Sequence, residues 1–225
     1  MNNKINIAID GPASSGKSTT AKLLANKLSY RYLDTGATYR AATYLWILND
    51  KIDISEFQKV FEKSNIEIKF DGLKQLTFLN GIDVSLEIRN QEVTANVSFI
   101  SSLGFVRTSL VNLQREFAKS KSVIVDGRDI GTVVLPDAEL KIYLVASIEE
   151  RAKRRHLEYQ KMGQQIDFDT LKNEIANRDK LDSEREISPL RKAEDAVEID
   201  TTGLTIGDQV NRIYKLALKK INEHN

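Results

Sequence analysis

The segment that most constrains this chain is Gly11–Ser18, which reads GPASSGKS and matches the pattern GxxxxGKS. Glycines let the backbone curl until several N–H groups point at phosphate oxygens, with the N-terminal dipole of the following helix behind them. A strand is expected before this loop, because Ile5, Ile7 and Ile9 are β-branched and alternate along the chain. A helix is expected after it, over Gly16–Ser29. The order of strand, loop and helix predicts that the protein binds a nucleotide polyphosphate.

The positions of this loop have distinct expected roles. In loops of this pattern the lysine reaches the β and γ phosphates and the serine hydroxyl holds Mg²⁺, which assigns Lys17 and Ser18. We expect Lys17 to be exposed and to pack little. In the helix, Leu23, Leu24 and Leu28 are expected to face inward. The residues predicted to bind the nucleotide are Gly11, Pro12, Ala13, Ser14, Ser15, Gly16, Lys17, Ser18 and Thr19.

Composition limits the classes of protein that remain. A chain of 225 residues is long enough to bury a full core in one or two domains. Its 33 Lys and Arg nearly balance 32 Asp and Glu, so the net charge of +1 gives no global attraction to nucleic acid or anionic membranes. The sequence has no cysteine, which excludes disulfides and thiolate chemistry. Without a long apolar run, an apolar heptad pattern or a signal-peptide pattern in Met1–Asp10, we expect a cytoplasmic monomer.

Short apolar strands alternate with helical stretches, which indicates an α/β fold with a parallel sheet covered on both faces. We expect a three-layer fold of the P-loop NTPase type with five parallel strands. Strands are predicted at Lys4–Ile9, Arg31–Leu33, Ser122–Val125, Leu140–Val145 and Ala196–Ile199. Helices are predicted at Gly16–Ser29, Ala37–Leu48, Gln91–Ser101, Val106–Ala118, Ile148–Met162, Phe168–Lys180 and Ile206–Ile221. Capping-box spacing, in Ser147 with Glu150 and Thr205 with Asp208, marks the start of two of these helices.

One stretch interrupts the alternation of strands and helices. After a short helix at Glu56–Lys63, the alternating residues of Asn65–Val84 predict a small antiparallel β insert. The Asn80-Gly81 pair within it is a strong signal for a hairpin turn. The insert could be a flap over a substrate or a surface hairpin without a role in catalysis, and its position leaves both interpretations open.

Two segments that follow strands indicate an anion acceptor. Open α/β sheets bind ligands at the carboxyl ends of their strands. Arg40 lies one turn inside the helix that follows the second strand, where it can meet an anion near these ends. Asp126 ends the strand expected beside the P-loop, so it is predicted to hold Mg²⁺ through water. Arg128 and Asp129 come next, between two glycines. A turn with an internal ion pair is the alternative interpretation of residues 126–129.

Three arginines share one face of the helix that begins near residue 148. Arg151, Arg154 and Arg155 occupy positions i, i+3 and i+4. Because a glycine break at Gly163 and a returning helix follow, we interpret the segment as a hinged lid that closes on a triphosphate. A charged face that is merely solvated is the alternative.

Other classes of nucleotide-binding protein are less compatible with these residues. A guanine-selecting switch protein would carry an Asn-Lys-x-Asp motif, which the sequence lacks. A nucleic-acid-binding protein would need an excess of basic residues and aromatic residues beside the arginine helix, where only Tyr159 is close. A P-loop kinase for a different small acceptor remains open. We therefore expect no nucleic-acid partner and no membrane partner.

Five segments together make the chain resemble the bacterial cytidylate kinases, which phosphorylate CMP and dCMP, over essentially its whole length. They are IDGPASSGKS at Ile9–Ser18, LDTGATYR at Leu33–Arg40, EIRNQEV at Glu87–Val93, VDGRDIGTVVLPDA at Val125–Ala138 and RDKLDSER at Arg178–Arg185. The first is common to many NTPases, whereas DTGATYR and DGRDIGTVV in this order are far more specific. Thr35 stands where many relatives have serine and retains the hydroxyl group.

The resemblance implies a phosphoryl donor, a metal and an acceptor. The donor is ATP, bound by the loop with Arg151 and Arg154, and the metal is Mg²⁺ at Ser18 and, through water, Asp126. The implied CMP-binding residues are Thr35, Arg40, Ser98, Arg107, Arg128, Asp129, Arg178, Asp182 and Arg185. The implied catalytic residues are Lys17, Arg128, Arg154 and Arg178.

Within the CMP site the resemblance implies separate tasks. Two arginines hold the acceptor phosphate, and three residues read the cytosine edge. Two further residues contact the sugar, and Arg185 reaches between base and phosphates. The phosphate pair is Arg40 and Arg128, the cytosine set is Ser98, Arg107 and Asp129, and the sugar pair is Arg178 and Asp182. We expect one kinase domain, with a core at 1–60, 90–150 and 190–225, a nucleotide-binding insert at about 61–89 and a lid at about 151–189.

Overall fold

The computed structural model describes residues 4–161 and 163–223, which contain eight strands and eight α-helices. The strands are β1 Asn6–Asp10, β2 Arg31–Asp34, β3 Ile66–Asp71, β4 Lys74–Leu79, β5 Ile82–Asp83, β6 Val123–Gly127, β7 Leu140–Val145 and β8 Val197–Asp200. The helices are α1 Lys17–Leu28, α2 Thr35–Leu48, α3 Ile54–Glu62, α4 Gln91–Ser102, α5 Gly104–Ala118, α6 Ile148–Lys161, α7 Phe168–Glu184 and α8 Ile206–Glu223. No helix among these residues is long and apolar enough to cross a membrane.

In the described part of the chain the main sheet has five strands in the order β2-β6-β1-β7-β8. Strand β1 pairs in parallel with β6 and β7, and β7 pairs in parallel with β8. Ile9 lies opposite Asp126 on β6 and opposite Ile142 on β7, so Asp126 sits beside the end of the central strand. The predicted five-stranded sheet is confirmed, and β6 is the neighbour of β1 as expected.

The chain forms two compact units. The first comprises the described residues up to Arg31 together with those from Lys121 onward. Its core packs α1 and α8 with the central strands, and Leu24, Ile213 and Ala217 are buried there. This unit contains the phosphate-binding loop.

The second unit is Tyr32–Ser120, and its core lies among α2 to α5. Phe57 is fully buried there and contacts the rings of Phe61 and Phe105. The predicted insert is present, as an antiparallel sheet in the order β3-β4-β5. Asn80 and Gly81 have φ values of 51° and 81°, as a turn with two left-handed residues requires. The sequence signal for this hairpin is therefore confirmed.

Some helix boundaries differ from the predicted ones, in one case because a side chain caps the helix. Asp34 accepts a hydrogen bond from Ala37 N at 3.2 Å, so α2 begins at Thr35, two residues before the predicted start. Ser147 and Thr205 cap as predicted, through bonds from the backbone N–H groups three residues later. Helix α7 continues four residues beyond the predicted Lys180, to Glu184. The predicted end of α6 at Met162 lies outside the described residues.

One prediction about α1 is wrong. Leu23 is 45% exposed, whereas Leu24 is fully buried and Leu28 is half-buried. The inward face of the helix follows Ala21, Leu24 and Ala25, and Leu23 lies at its margin. Small residues therefore supply much of the contact face that we had assigned to leucines.

Candidate active site

The phosphate-binding loop leaves β1 after Asp10, and α1 begins at Lys17. Gly11 has a φ of +146°, and a Cβ at this position would lie 2.1 Å from the carbonyl oxygen of Leu144. No other residue fits without displacing β7, because the obstruction is backbone. The loop is therefore seated directly against the neighbouring strand.

The second glycine of the loop is also closely surrounded. Gly16 has a φ of +91°, and a Cβ there would lie 3.0 Å from Oε1 of Gln209. The same Gln209 oxygen accepts a hydrogen bond from Thr20 Oγ1 at 3.0 Å, and both side chains are fully buried. Helix α8 thus supports the start of α1 through a residue that no sequence motif indicated.

The structure overturns the expectation that Lys17 is exposed. Its side chain is buried, and Nζ donates to the carbonyl oxygen of Pro12 at 2.5 Å and to Ser15 Oγ at 3.4 Å. Burial lowers the pKa of Lys17 well below its ordinary value, and the positive charge of Arg128 acts in the same direction. The loop curls around its own lysine, whose ammonium group contacts two oxygen atoms of the loop.

Ser18 and Asp126, the predicted metal pair, lie together. Ser18 Oγ donates to Asp126 Oδ2 at 2.7 Å, and Asp126 is buried at the end of β6. Two oxygen ligands from the loop and the neighbouring strand are the kind of ligand set that Mg²⁺ prefers. Thr19, the last predicted loop residue, is exposed on the first turn of α1.

Arg151 reaches the loop from α6. Its Nη1 donates to the carbonyl oxygen of Ala13 at 3.2 Å and to Asp179 Oδ2 at 2.5 Å. Asp179 Oδ1 also accepts from the Ala13 N–H at 3.4 Å. A carboxylate of α7 therefore contacts one amide of the anion-binding loop, a contact that sequence reasoning missed.

Arg154 also contacts the loop, but Arg155 does not. Arg154 donates to the carbonyl oxygens of Ser15 at 3.3 Å and Thr201 at 2.7 Å. Arg155 instead donates to Glu158 and to the hydroxyl of Tyr159, both on its own helix. Glu158 and the hydroxyl of Tyr159 hold the guanidinium group of Arg155 in this structure. The closure of the three arginines on a triphosphate stays a prediction.

The predicted acceptor residues of the first unit form a buried charged cluster. Arg128 Nε donates to Asp182 Oδ2 at 2.7 Å, and Arg185 Nη2 lies 3.4 Å from Asp129 Oδ1. Arg178 Nε is buried and has no hydrogen-bond partner among the described residues. The structure thus brings together residues that lie about 50 positions apart in the sequence.

The charged groups of the cluster shift one another's pKa values. Burial and the neighbouring Arg128 lower the pKa of Arg178 to about 10. Burial would raise the pKa of Asp182, but the positive charges of Arg128 and Arg178 hold it below its ordinary value. The positive charge of Arg128 disfavours the charges of Lys17 and Arg178, so an anion bound between the guanidinium groups would relieve this repulsion.

The other predicted acceptor residues belong to the Tyr32–Ser120 unit. Thr35 is buried at the start of α2, and Arg40 is half-buried further along that helix. Arg107, buried on α5, donates to the carbonyl oxygen of Ser101 at 2.9 Å, and Ser101 Oγ donates to the carbonyl oxygen of Ser98 at 3.0 Å. The roles of these four residues remain predictions.

Asp10 is a buried acid that sequence reasoning missed. Its position directly before the loop, in IDGPASSGKS, was the available signal. Burial raises the pKa of Asp10 to about 6, and Asp129 adds to this, while hydrogen bonds from Gly131 and Ile130 and the charge of Lys17 oppose it. The charged form of Asp10 is therefore disfavoured in the folded state.

This shift predicts a pH dependence of stability. Because the folded pKa of about 6 lies above the ordinary value of 3.8, Asp10 binds its proton more tightly in the folded state. The contribution of this proton to the free energy of unfolding is complete below pH 3.8 and is lost as the pH rises through 6. We expect the free energy of unfolding of wild type, minus that of Asp10→Asn, to decrease from pH 5 to pH 7.5 in urea titrations. A difference that stays constant or increases would contradict the shift.

The fold and this loop define a class. A parallel sheet whose central strand runs into GPASSGKS, with Ser18 against an aspartate of the next strand, is the arrangement of P-loop kinases. Shikimate kinase from Bacteroides thetaiotaomicron has a similar fold, with a TM-score of 0.50 at 14% identity over 96% of this chain and 99% of that one.

Comparison of sequences narrows the class to a family. The profile of the cytidylate kinase family matches residues 7–219, so the chain belongs to the cytidylate kinases. A cytidylate kinase from Geobacillus sp. strain WCH70 is 52% identical over 98% of this chain and 100% of its own length. One from Streptococcus agalactiae serotype V is 54% identical over 99% of this chain and 100% of its own length.

Proposed function

We propose that the protein transfers the γ-phosphoryl group of ATP to CMP or dCMP, giving ADP and CDP or dCDP. The observation that carries the proposal is the half-buried arginine cluster of Arg128, Arg178 and Arg185 in the same unit as the phosphate-binding loop. A kinase that transfers a phosphoryl group between two phosphorylated molecules needs positive charge for the acceptor as well as for the donor. Membership of the cytidylate kinase family supports the choice of acceptor.

The acceptor needs no strong general base. The second pKa of a phosphate monoester is about 6, so at pH 7 its oxygens are already an anionic nucleophile. Catalysis then depends on bringing two polyanions into line and neutralising their charge. We assign this neutralisation to Lys17 for the transferred group and to Arg128 for the acceptor phosphate. Arginine suits the second task because its planar fork binds phosphate through paired hydrogen bonds.

The metal in this proposal is Mg²⁺. Ser18 would hold it directly and Asp126 would hold it through water, and the 2.7 Å contact between their oxygen atoms supports this assignment. When bound with ATP, the ion supplies charge neutralisation on the phosphates. The loop amides and Lys17 bind the same phosphates, while Arg151 and Arg154 approach from α6.

The proposal includes a division of labour along the chain. The proposed core comprises residues 1–60, 90–150 and 190–225. The proposed insert, at about 61–89, covers CMP. The proposed lid, at about 151–189, excludes water, whose attack would waste ATP. The contacts of Arg151 and Arg154 with the loop support the lid. We propose a monomer in the cytoplasm, where ATP and nucleoside monophosphates are available.

A panel of acceptors tests the proposed function. Formation of ADP from ATP would be measured with CMP, dCMP, UMP, AMP and GMP at equal concentrations. We expect CMP and dCMP to give the highest kcat/KM. A higher value with AMP or GMP, or ATP consumption that is independent of the acceptor, would contradict the proposal.

Asp129 is expected to set the preference for cytosine over uracil. The exocyclic amine of cytosine can donate to a carboxylate, whereas uracil presents a carbonyl oxygen that would face a buried Asp129 without a proton between them. An unsatisfied polar group costs about 1–3 kcal/mol, and more when it is charged, so kcat/KM for CMP should exceed that for UMP at least tenfold. Asp129→Asn should narrow this ratio, chiefly by losing activity with CMP. Asp137→Asn, the same change at an exposed position of the same segment, should leave the ratio unchanged.

A further inference from the structure

One side chain of the β insert bonds the residue at which β2 ends. Gln75, on β4, accepts a hydrogen bond from the Asp34 N–H through Oε1 at 2.7 Å and donates to the Asp34 carbonyl oxygen through Nε2 at 3.2 Å. A glutamine amide offers an acceptor and a donor, as a peptide group does. The side chain of Gln75 therefore bonds Asp34 in the way that a residue of a neighbouring strand would.

The place of Gln75 in β4 would suit an apolar residue. Positions 75, 77 and 79 share one face of the strand, and Thr77 and Leu79 on that face are buried. Leu79 belongs to the core of the Tyr32–Ser120 unit, and Gln75 is half-buried. Because a buried amide is disfavoured unless it is hydrogen-bonded, the two bonds to Asp34 offset the cost of a glutamine at this position.

Asp34 is held through its side chain as well as through its backbone. Its Oδ1 accepts from the Ala37 N–H at 3.2 Å and so caps α2, and its Oδ2 accepts from Arg89 Nη2 at 2.7 Å. Arg89 lies in the EIRNQEV segment, for which the resemblance implied no site residue. Backbone and side chain of one residue are thus fixed where β2 ends and α2 begins.

The start of α2 determines where two predicted acceptor residues lie. Thr35 follows Asp34 directly, and Arg40 lies in the second turn of the helix. Arg40 Nη1 donates to Thr94 Oγ1 on α4 at 2.8 Å. Helix α2 is therefore held at its cap by Gln75 and further along by Thr94, and loss of the first contact would let its first turns shift.

We propose that Gln75 is a positioning residue for the acceptor: its amide fixes the backbone of Asp34, which holds Thr35 and Arg40 where they bind CMP. This inference rests on the proposed function. Gln75 itself touches neither substrate in this account and acts through the first turns of α2.

The substitution Gln75→Met tests the inference. Methionine keeps an unbranched side chain of similar length but replaces the amide that forms both bonds with Asp34. We expect KM for CMP to rise about tenfold, because the binding residues on α2 are displaced. The donor loop belongs to the other unit, so KM for ATP and kcat should change less than about twofold. Equal rises in the two KM values, or a fall in kcat alone, would show a general structural role and overturn the inference.

The matched control is Gln58→Met. Gln58 is exposed on α3 of the same unit, and its Nε2 donates to Glu62 on its own helix at 2.8 Å. This variant undergoes the same chemical change without altering a contact of Asp34. Its KM for CMP should equal that of wild type, and a rise like that of Gln75→Met would contradict the assignment.

A double variant tests whether Gln75 works through α2. If the displaced helix acts mainly by misplacing the Arg40 guanidinium group, Gln75→Met should raise KM for CMP less than about threefold in an Arg40→Met protein. A full tenfold rise in that background would mean that Gln75 acts independently of Arg40, which would overturn the inference.

Wild-type protein provides a measurement that does not depend on the folding of a variant. If CMP binding and the Gln75 contact stabilise one another, saturating CMP should slow the exchange of the Asp34 N–H with deuterium at least threefold, whereas ATP alone should not. An exchange rate that CMP leaves unchanged would overturn the inference.

The two proposals fail in different ways. A wild-type protein that does not phosphorylate CMP would contradict the proposed function and the inference together. A wild-type protein that phosphorylates CMP, with an unchanged KM for CMP in Gln75→Met, would contradict the inference alone.

Discussion

Replacing Lys17 with alanine is expected to lower kcat roughly 100-fold or more, because it removes the charge oriented at the moving phosphoryl group. The free energy of unfolding should change little. Burial and the charge of Arg128 already disfavour the ammonium group, which offsets the packing that alanine loses. Steady-state kinetics with CMP and urea denaturation measure the two effects separately.

Lys17→Met separates charge from packing. Methionine keeps an unbranched apolar stem in the buried position, so the variant should lose as much activity as Lys17→Ala while retaining the stability of wild type. Lys27→Ala, an exposed position at the other end of α1, serves as the control and should keep wild-type kcat. A Lys17→Met variant with near-normal turnover would remove Lys17 from the phosphoryl-transfer step.

Replacing Arg128 with alanine is expected to reduce kcat/KM for CMP roughly 100-fold and to lower stability by about 3 kcal/mol. The second effect arises because Asp182, whose side chain is 7% exposed, loses the guanidinium group that bonds it at 2.7 Å. An unpaired buried carboxylate destabilises the folded state more than a missing pair does.

The double variant Arg128→Met with Asp182→Asn separates these two effects. With neither charge left behind, it should recover much of the stability that Arg128→Ala loses, while kcat/KM for CMP stays low. If activity returned together with stability, the role of Arg128 would be structural and its assignment to the acceptor phosphate would fail.

The elements of this fold are local enough to be predicted from sequence. Leu140–Val145 has the predicted bounds because its apolar run is self-contained, and the Asn80-Gly81 hairpin follows from two residues that tolerate positive φ. The start of α2 was missed because it depends on the orientation of the Asp34 side chain. The residue pattern was therefore enough to predict which segments form helices or strands. Their exact ends depended on individual hydrogen bonds.

The site residues could be predicted from motifs, but the contacts that surround them could not. The burial of Lys17 arises from the curl of a loop, which residue spacing does not encode. The turn at Ile130–Val134 depends on Asp10, more than 100 residues earlier, and no local propensity indicates such a partner. Helical spacing predicts that Arg155 shares a face with Arg151 and Arg154, but it does not predict the hydrogen bond from Arg155 to the hydroxyl of Tyr159.

The support that Gln209 gives to the first turn of α1 has a consequence for the newly made chain. Thr20 and its partner are 189 residues apart, so the loop emerges from the ribosome long before its supporting glutamine does. At about 5–20 residues per second this interval is roughly 10–40 s. Throughout it, the nascent polypeptide carries a nucleotide-binding motif whose first helical turn has no support behind it. Tight binding of ATP should therefore be a late event in biosynthesis.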